Sequence, residues 1–269
     1  MEQRKEVAIL YSGGTDSICA AAIVAETFGR VHLLTFQRFG FFDIENSACN
    51  IDRLRRRFPS TQFIHRIINI EDLTRAIFYS QFSRMIMRYG LFSLSNCLIC
   101  GLVNHFAALL YCLDNKITDI ADGSTRDWSF FPSHMENVIL EIKNMYSAFG
   151  LIYHTPVYNF DLAYPVSLMD KVYGSECRKP QLSKNTTGEY LYRIGIFDSP
   201  SLKGTEFDHK MQPRCFQFIL HHIYIYWYFM VRYDYHRFEM VTVKFSREKI
   251  NDFVQVVKKG DPGVIKMIH

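Results

Sequence analysis

The sequence predicts an α/β protein built on a parallel, doubly wound sheet. Through the first half of the chain, short apolar runs alternate with stretches that have helical periodicity. Strands that alternate with helices of this length are typical of βαβ units, in which helices cover both faces of the sheet. Ligands of such sheets bind beyond the carboxyl ends of the strands.

Composition and charge narrow the class further. The chain has 269 residues, of which 48% are hydrophobic and 22% charged, and this excludes disordered, collagenous and coiled-coil proteins. The net charge of +4 permits a nucleic-acid partner without requiring one. No apolar signal segment precedes the first predicted strand, and an odd number of cysteines, seven, argues against a disulfide framework. We therefore expect a cytoplasmic protein with reduced thiols.

The elements of the predicted sheet follow one another in chain order. Strands are predicted at residues 7–11, 31–36, 63–70 and 116–121, and helices at residues 16–28, 45–58 and 97–113. Because the composition changes from about Gly174, where turn-forming and polar residues cluster, we predict a first domain over residues 1–170.

The remaining residues, 171–269, are predicted to form an α+β extension. Residues 174–213 are rich in turn-forming residues and predict a loop-rich connector. Residues 216–231 are apolar but too short to span a bilayer, so they predict a buried helix or strand and no membrane association. Beyond them we expect a strand at residues 236–245 and a helix that is capped by Ser246 and ends before Gly260.

The sharpest motif is Ser-Gly-Gly-Thr-Asp-Ser at residues 12–17, between the first strand and the first helix. Its two glycines let the backbone approach a ligand closely, and the start of the helix offers unpaired N–H groups to a polyphosphate. The hydroxyl groups of the motif can donate further hydrogen bonds to phosphate oxygens. The predicted nucleotide contacts in this segment are Tyr11, Ser12, Gly13, Gly14, Thr15, Asp16 and Ser17.

Asp16 has a separate predicted role, because a carboxylate would repel phosphate directly. We expect it to hold a Mg²⁺ ion that bridges the pyrophosphate. The loop contains no lysine, and this distinguishes it from a Walker A motif. The hexapeptide resembles the signature of the PP-loop ATP pyrophosphatase superfamily, and the resemblance extends over residues 5 to about 170.

The resemblance implies a fold of the adenine-nucleotide α-hydrolase type and an ATP that is cleaved between its α and β phosphates. A substrate oxygen attacks the α-phosphate, pyrophosphate leaves, and a nitrogen or sulfur nucleophile then displaces the adenylate. By the same resemblance, Thr35 and Phe36 lie where relatives contact adenine, and Asp122 and Gly123 lie at the same rim as the nucleotide.

Cys97 and Cys100 form a CxxC motif at the predicted start of a helix. The i, i+3 spacing places both sulfurs on one face, and a helix N-terminus stabilises a thiolate. Thiolates are required for metal binding and for sulfur transfer, whereas two buried structural cysteines are the alternative interpretation. A zinc ribbon would bring a second CxxC motif, and the sequence has none.

Two relatives within the superfamily suggest different chemistry. Cys97, Cys100 and Cys177 resemble, in order and approximate spacing, the three cysteines that hold a [4Fe–4S] cluster in tRNA thiolation enzymes of the 2-thiocytidine type. Three cysteine ligands would leave one iron site open for sulfur or substrate. Without a cluster, one of these cysteines could carry a persulfide. On this interpretation the catalytic residues are Asp16, Cys97, Cys100 and Cys177.

The second relative is 7-cyano-7-deazaguanine synthase, which adenylates a carboxylate and converts it with ammonia to a nitrile. Thr35, Phe36, Glu45 and residues 127–132 resemble its pattern. That family carries a compact C-terminal four-cysteine zinc cluster, whereas only Cys177 and Cys215 lie in that region here. A different Zn²⁺ site with four thiolate ligands stays open, and its predicted ligands are Cys97, Cys100, Cys177 and Cys215.

The sequence thus predicts an ATP-dependent adenylating enzyme that activates a carbonyl or carboxylate for sulfur transfer to a nucleobase. The alternatives are carboxylate-to-nitrile chemistry and a nucleotide-sensing module without turnover. The expected partners are ATP and either tRNA or a small nucleobase-like substrate, with a homodimer left open. Arg126 and Asp127 fit a substrate contact as well as a surface ion pair, and His105, His221 and His222 are predicted to be structural.

Overall fold

The computed structural model describes residues 5–126, 131–161, 185–200, 202, 205–231 and 234–260. Its centre is a five-stranded parallel sheet in the order β4-β2-β1-β5-β6. These strands are β1 Glu6–Leu10, β2 Arg30–Gln37, β4 Gln62–Asn69, β5 Asp119–Asp122 and β6 Ile152–His154. Two short antiparallel strands, β3 Phe41–Phe42 and β7 Arg214–Cys215, form a separate ribbon.

Helices connect and cover the strands. The α-helices are α1 Thr15–Ala25, α2 Ile51–Arg57, α3 Glu71–Ile77, α4 Phe82–Tyr89, α5 Asn96–Asn115, α6 Glu136–Ser147, α7 Thr187–Arg193, α8 Glu206–Lys210, α9 Phe216–Met230 and α10 Tyr235–Lys258. Short 3-10 helices lie at Ile44–Ala48, Tyr79–Gln81, Gly90–Leu94 and Pro132–His134.

The sheet separates two hydrophobic cores. Val7 and Ile9 of β1 face the core formed with α1, α2 and α7, whereas Ala8 faces the larger core formed with α5, α6, α9 and α10. This alternation follows from the two-residue period of a strand. Because helices cover both faces of a parallel sheet, the predicted α/β class is confirmed.

Helix α5 is the central helix of the larger core. Most of its apolar residues are buried against the sheet and the C-terminal helices, and its chain reverses at Lys116, which adopts a positive φ of 56°. By length and composition it is apolar enough to cross a membrane, but 61% of its apolar 18-residue stretch is buried inside the protein. Buried core helices share this length and composition.

The predicted strand at residues 236–245 is wrong, because these residues belong to α10. The buried positions Phe238, Thr242, Phe245 and Phe253 recur at helical spacing and pack into the larger core. Ser246 lies inside this helix and is not its cap. The cap is Asp234, whose carboxylate accepts the Arg237 N–H at 2.6 Å.

Other boundaries also differ from the prediction. The predicted helix at 45–58 is divided into a 3-10 turn and α2, and the apolar run at 216–231 is the helix α9. The predicted connector contains α7 and α8, whose N-caps Thr186 and Thr205 accept the N–H groups of Glu189 and Asp208. Residues 162–184, which include the predicted domain boundary near residue 170, lie outside the described residues.

Replacing Phe253 by alanine tests the packing of α10. The ring of Phe253 stacks on that of Phe106 with centroids 4.0 Å apart, and both side chains are buried. We expect Phe253→Ala to lower the free energy of unfolding in urea by about 3–5 kcal/mol. Val256→Ala on the same helix, at a residue with 39% exposure, should cost under about 1 kcal/mol. Equal losses for both variants would contradict the described docking of α10.

Candidate functional site

The candidate phosphate loop, residues 12–17, follows the central strand β1 and begins helix α1. Gly13 adopts a positive φ of 81°, which favours glycine. The Ser12 hydroxyl accepts the Gly14 N–H at 3.3 Å and lies 3.2 Å from the Ser17 hydroxyl, which donates to the Gly14 carbonyl at 2.9 Å. These bonds brace the loop internally before any ligand binds.

The glycines of the loop are required by close neighbours as well as by backbone conformation. A Cβ atom on Gly13 would lie 2.5 Å from the Met211 carbonyl oxygen and 2.7 Å from the Ser47 Cα. A Cβ atom on Gly14 would lie 2.7 Å from the Gln212 Oε1. The segment after α8 therefore lies directly against the loop, a contact that the sequence pattern did not predict.

Gly123 makes the same kind of contact from the other side. A Cβ atom there would lie 2.8 Å from the Ser17 backbone nitrogen and 2.9 Å from the Ser17 Cα. The end of β5 thus touches the first turn of α1. The structure brings Gly123 and the loop together at one edge of the sheet, as the sequence predicts.

Asp122 lies at this edge but its carboxylate is held inside the protein. It accepts the Ser124 N–H at 3.0 Å, the Ser124 hydroxyl at 2.8 Å and the Tyr153 hydroxyl at 2.6 Å. His105 Nε2 lies 3.6 Å from the same carboxylate. These bonds give Asp122 a role in holding the end of β5, and its contact with a nucleotide stays a prediction.

Two carboxylates, one within the loop and one beside it, accept hydrogen bonds from threonine hydroxyls. The Thr187 hydroxyl donates to Asp16 Oδ1 at 2.7 Å, and the Thr15 hydroxyl donates to Asp208 Oδ1 at 3.1 Å. Asp208 is buried, and the sequence analysis missed it as a site residue. The signal that could have found it is the Thr-x-x-Asp spacing of a helix start at residues 205–208.

The predicted adenine contacts, Thr35 and Phe36, have side chains that already serve the fold. The Thr35 hydroxyl donates to the Tyr11 carbonyl at 2.7 Å and lies 2.9 Å from His65 Nε2, while Phe36 belongs to the larger core. Tyr11 is buried, and burial raises the pKa of its hydroxyl. A ligand at the end of β2 would therefore meet backbone here rather than these side chains.

The CxxC cysteines and Cys215 converge at two helix starts. Cys97 and Cys100 lie in the first turn of α5, and Cys215 immediately precedes α9. Burial raises the pKa of Cys97, and its neighbours Cys100 and Cys215 raise it further. Burial and Cys100 likewise raise the pKa of Cys215. Three of the four predicted ligands are thus neighbours at these helix starts, although they are not arranged around one metal position. The fourth, Cys177, lies outside the described residues.

A buried arginine, Arg38, lies beside these thiols. It follows β2, is 4% exposed, and donates to the Tyr79 hydroxyl at 3.2 Å and to the Gln217 side chain. Its positive charge opposes the rise in the pKa of Cys97 and Cys215. Within the described ranges, no three His, Cys, Asp or Glu side chains are positioned to hold one metal ion.

An open cleft of about 510 Å³ lies at the carboxyl ends of β2 and β4, and its lining includes Arg38 and Phe216, which neighbour the thiols. Aromatic side chains, two amides and an ion pair line it. The Glu71 carboxylate accepts the Arg75 Nε–H at 3.0 Å and the Phe39 N–H at 3.1 Å. Burial opposes the ionisation of Glu71, but these bonds outweigh it, so the pKa of Glu71 lies below its ordinary value. The phosphate loop, the cleft and the thiols therefore share one edge of the sheet.

Comparison with known proteins finds similarity to solved structures. None of the family models and none of the curated proteins matches the chain. A solved structure described as a predicted subunit of tRNA methyltransferase from Methanocaldococcus jannaschii is similar over 58% of this chain and 70% of its own, with 21% identity and a TM-score of 0.36. At these values the likeness assigns no function to this chain.

Replacing Gly123 by alanine tests the contact between β5 and the loop. Both atoms that the new Cβ would meet belong to the backbone, so they cannot rotate away, and we expect a loss of about 1–3 kcal/mol in the free energy of unfolding. Gly150→Asn is the control, because nothing lies within 4 Å of its Cβ position and asparagine tolerates its positive φ of 75°. A Gly123 variant as stable as the control would argue against the contact.

The buried His105 predicts a pH dependence of stability. Burial lowers the pKa of His105 to about 4, so the unfolded chain takes up this proton first as the pH falls below about 6.5. Stability is therefore highest above pH 6.5 and should fall by about 3 kcal/mol as the pH drops towards 4.

Urea unfolding at several pH values measures this effect. His105→Gln should flatten the loss between pH 6.5 and 4, while the buried His221, whose pKa burial lowers to about 3, keeps its own contribution. An unchanged pH dependence in His105→Gln would refute the assignment to His105.

Proposed function

We propose that this protein binds Mg-ATP at residues 12–17 and adenylates a carbonyl or carboxylate oxygen. The observation that carries the proposal is the glycine loop, which is braced at the carboxyl edge of the sheet and begins α1. Such a loop presents N–H groups and the positive end of a helix dipole to phosphate oxygens. The resemblance of residues 12–17 to the PP-loop superfamily points to the same ligand.

The chemistry divides into two displacement steps. A substrate oxygen attacks the α-phosphorus, the bond from that phosphorus to the bridging oxygen breaks, and pyrophosphate leaves with the electron pair. A sulfur or nitrogen nucleophile then attacks the activated carbon, and AMP leaves with the C–O electrons. The protein's part is to position the α-phosphate and to offset the charge that develops on pyrophosphate.

Residues around the loop fit a magnesium-bound triphosphate. Mg²⁺ takes hard oxygen ligands and is held by one or two carboxylates together with phosphates and water. Asp16, in the first turn of α1, would supply one such oxygen. Asp208, which bonds to Thr15, is the second carboxylate adjacent to the loop. When bound, the ion would neutralise charge on the leaving pyrophosphate.

The thiol cluster supports sulfur transfer as the second step. A buried thiol with a raised pKa is protonated at neutral pH and is a poor nucleophile, whereas coordination to a metal removes the proton. Both a metal ligand and a persulfide carrier need the thiolate form, so the raised pKa of Cys97 does not distinguish these two roles. We propose that Cys97, Cys100 and Cys177 hold a [4Fe–4S] cluster, or that these three together with Cys215 hold Zn²⁺. Within the described ranges, Cys97, Cys100 and Cys215 are not positioned around one metal ion.

The substrate we propose is a nucleobase, either in tRNA or as a small molecule. The cleft beside the thiols offers exposed phenyl rings at Phe39 and Phe42, and planar bases stack on such rings. Carboxylate-to-nitrile conversion is the second candidate, since it would use the same loop and cleft. Analysis of the product for incorporated sulfur or nitrogen separates the two.

Substitution at Asp16 tests the adenylation step. Asp16→Asn removes the charge that binds Mg²⁺ and should lower the rate of pyrophosphate release by about 100-fold or more. The control is Asp52→Asn, at an exposed carboxylate on α2 that pairs only with Arg55 among the bonds described. A wild-type protein that neither binds ATP nor releases pyrophosphate with any candidate substrate would refute the proposed adenylating activity. A sensing module would keep nucleotide-dependent partner binding without AMP production.

Substitution of the CxxC cysteines tests the second step. In anaerobically purified protein, Cys97→Ser with Cys100→Ser should remove bound iron or zinc and abolish sulfur transfer, while ATP binding at the loop is retained. Cys49→Ser, at an exposed cysteine, should change neither. A brown absorbing cluster in the wild type supports thiolation, a colourless zinc protein favours nitrile chemistry, and metal-free wild type would refute the ligand role.

A further inference from the structure

Helix α9 is apolar on two opposite sides. Its inward side, which includes Tyr224, Ile225 and Tyr228, packs into the larger core with α5 and α10. Its outward side faces solvent, where an ordinary surface helix carries charged and polar residues. On α9 the outward side is also apolar, and the part of the chain that the structure describes leaves this side exposed.

Six residues form the outward side, which we call the α9 face. They recur at intervals of three and four residues or lie next to one another, and they therefore share one side of the helix. Their exposed fractions lie between 41% and 80%. The residues are Phe216, Ile219, Leu220, Ile223, Trp227 and Met230.

The exposed area is large for a free surface. If a large apolar side chain has roughly 200 Å² of surface, the exposed fractions correspond to roughly 650 Å². The largest apolar patch on a typical monomer is about 300–600 Å², whereas a stable protein interface buries about 800 Å² on each partner. The α9 face thus approaches the size of one half of a standard interface.

Two features of the face disfavour a lipid partner. The helix has 15 residues, too few to span a bilayer. Residues 216–231 contain no lysine or arginine, the residues with which interfacial helices contact lipid head groups. The enrichment in Phe, Trp and Met is instead typical of the core of a protein–protein interface.

We propose that the α9 face binds the same face of a second copy of this chain. In a two-fold contact each surface meets itself, so a charged face would repel its copy. Residues 216–231 contain no Asp, Glu, Lys or Arg, and this removes that penalty. Ile223 is the midpoint of the six residues, so it lies nearest to its own copy when the two faces are centred on one another.

The proposed interface borders the candidate site. The face begins at Phe216, which lines the cleft and directly follows Cys215. The N–H of Phe216 donates to the Gly40 carbonyl at 2.9 Å, and this bond ties the start of α9 to the loop after β2. Pairing through α9 therefore covers the outer rim of the cleft with the partner's helix.

Sedimentation equilibrium of the full chain tests the proposal. We expect a mass of twice 31.6 kDa at micromolar concentration. Ile223→Glu and, independently, Met230→Lys should raise the dimer dissociation constant at least about 100-fold. An equimolar mixture of Ile223→Glu and Ile223→Lys chains should regain the dimer, because opposite charges then meet at the two-fold axis.

Met87→Glu is the matched control, because this residue on α4 is 81% exposed and lies outside the α9 face. It should leave the dimer unchanged, and circular dichroism should show that every variant is folded. A chain that is monomeric at all concentrations overturns the proposal, whatever else covers the face. A dimer that survives both Ile223→Glu and Met230→Lys overturns it as well.

Discussion

The architecture of the site depends on close backbone contacts around the loop at residues 12–17. At these contacts the glycines have no room for a side chain. Gly13 lies against Ser47 and Met211, and Gly123 lies against Ser17. A methyl group at either glycine would meet backbone atoms at 2.5–2.9 Å. The ends of β1 and β5, the 3-10 turn after β3 and the segment after α8 are therefore joined at van der Waals distance. The contacts that shape the loop therefore also position Met211 and the segment after α8.

Charge is distributed unequally along this edge of the sheet. Around the loop, Asp16 and Asp208 are bonded to threonine hydroxyls, an arrangement that suits a hydrated cation with its phosphates. Beyond β2, by contrast, Arg38 is the buried cation beside the cluster of thiols. In the proposed function the first environment neutralises a leaving pyrophosphate. In the second, the charge of Arg38 opposes the rise that burial causes in the pKa of Cys97 and Cys215. The two environments follow neighbouring strands, β1 and β2.

Hydrophobic periodicity predicted most strands and helices in the first half of the chain. It failed at residues whose local pattern disagrees with their tertiary packing. Four strands of the central sheet carry clustered apolar residues, and they were recognised for that reason. Strands β1, β2 and β5 are largely buried, whereas β4 is only partly buried. The three-residue strand Ile152–His154 is too short to show a pattern. Residues 236–245 are rich in β-branched and aromatic side chains, which suggested a strand, but burial against α5 and α6 makes them helical.

The same limit applies to the site. The glycine motif is local in sequence and was predicted residue by residue, whereas Asp208, Met211 and Gln212 reach the loop from nearly 200 residues away. Arg38 belongs to no sequence motif, and only the fold places it beside Cys100 and Cys215.

The most direct test of the nucleotide site is hydrogen–deuterium exchange of the full chain with Mg²⁺ and α,β-methylene-ATP. The account predicts slower exchange at residues 10–18 and at their contacts near residues 47 and 211, and unchanged exchange there would contradict it.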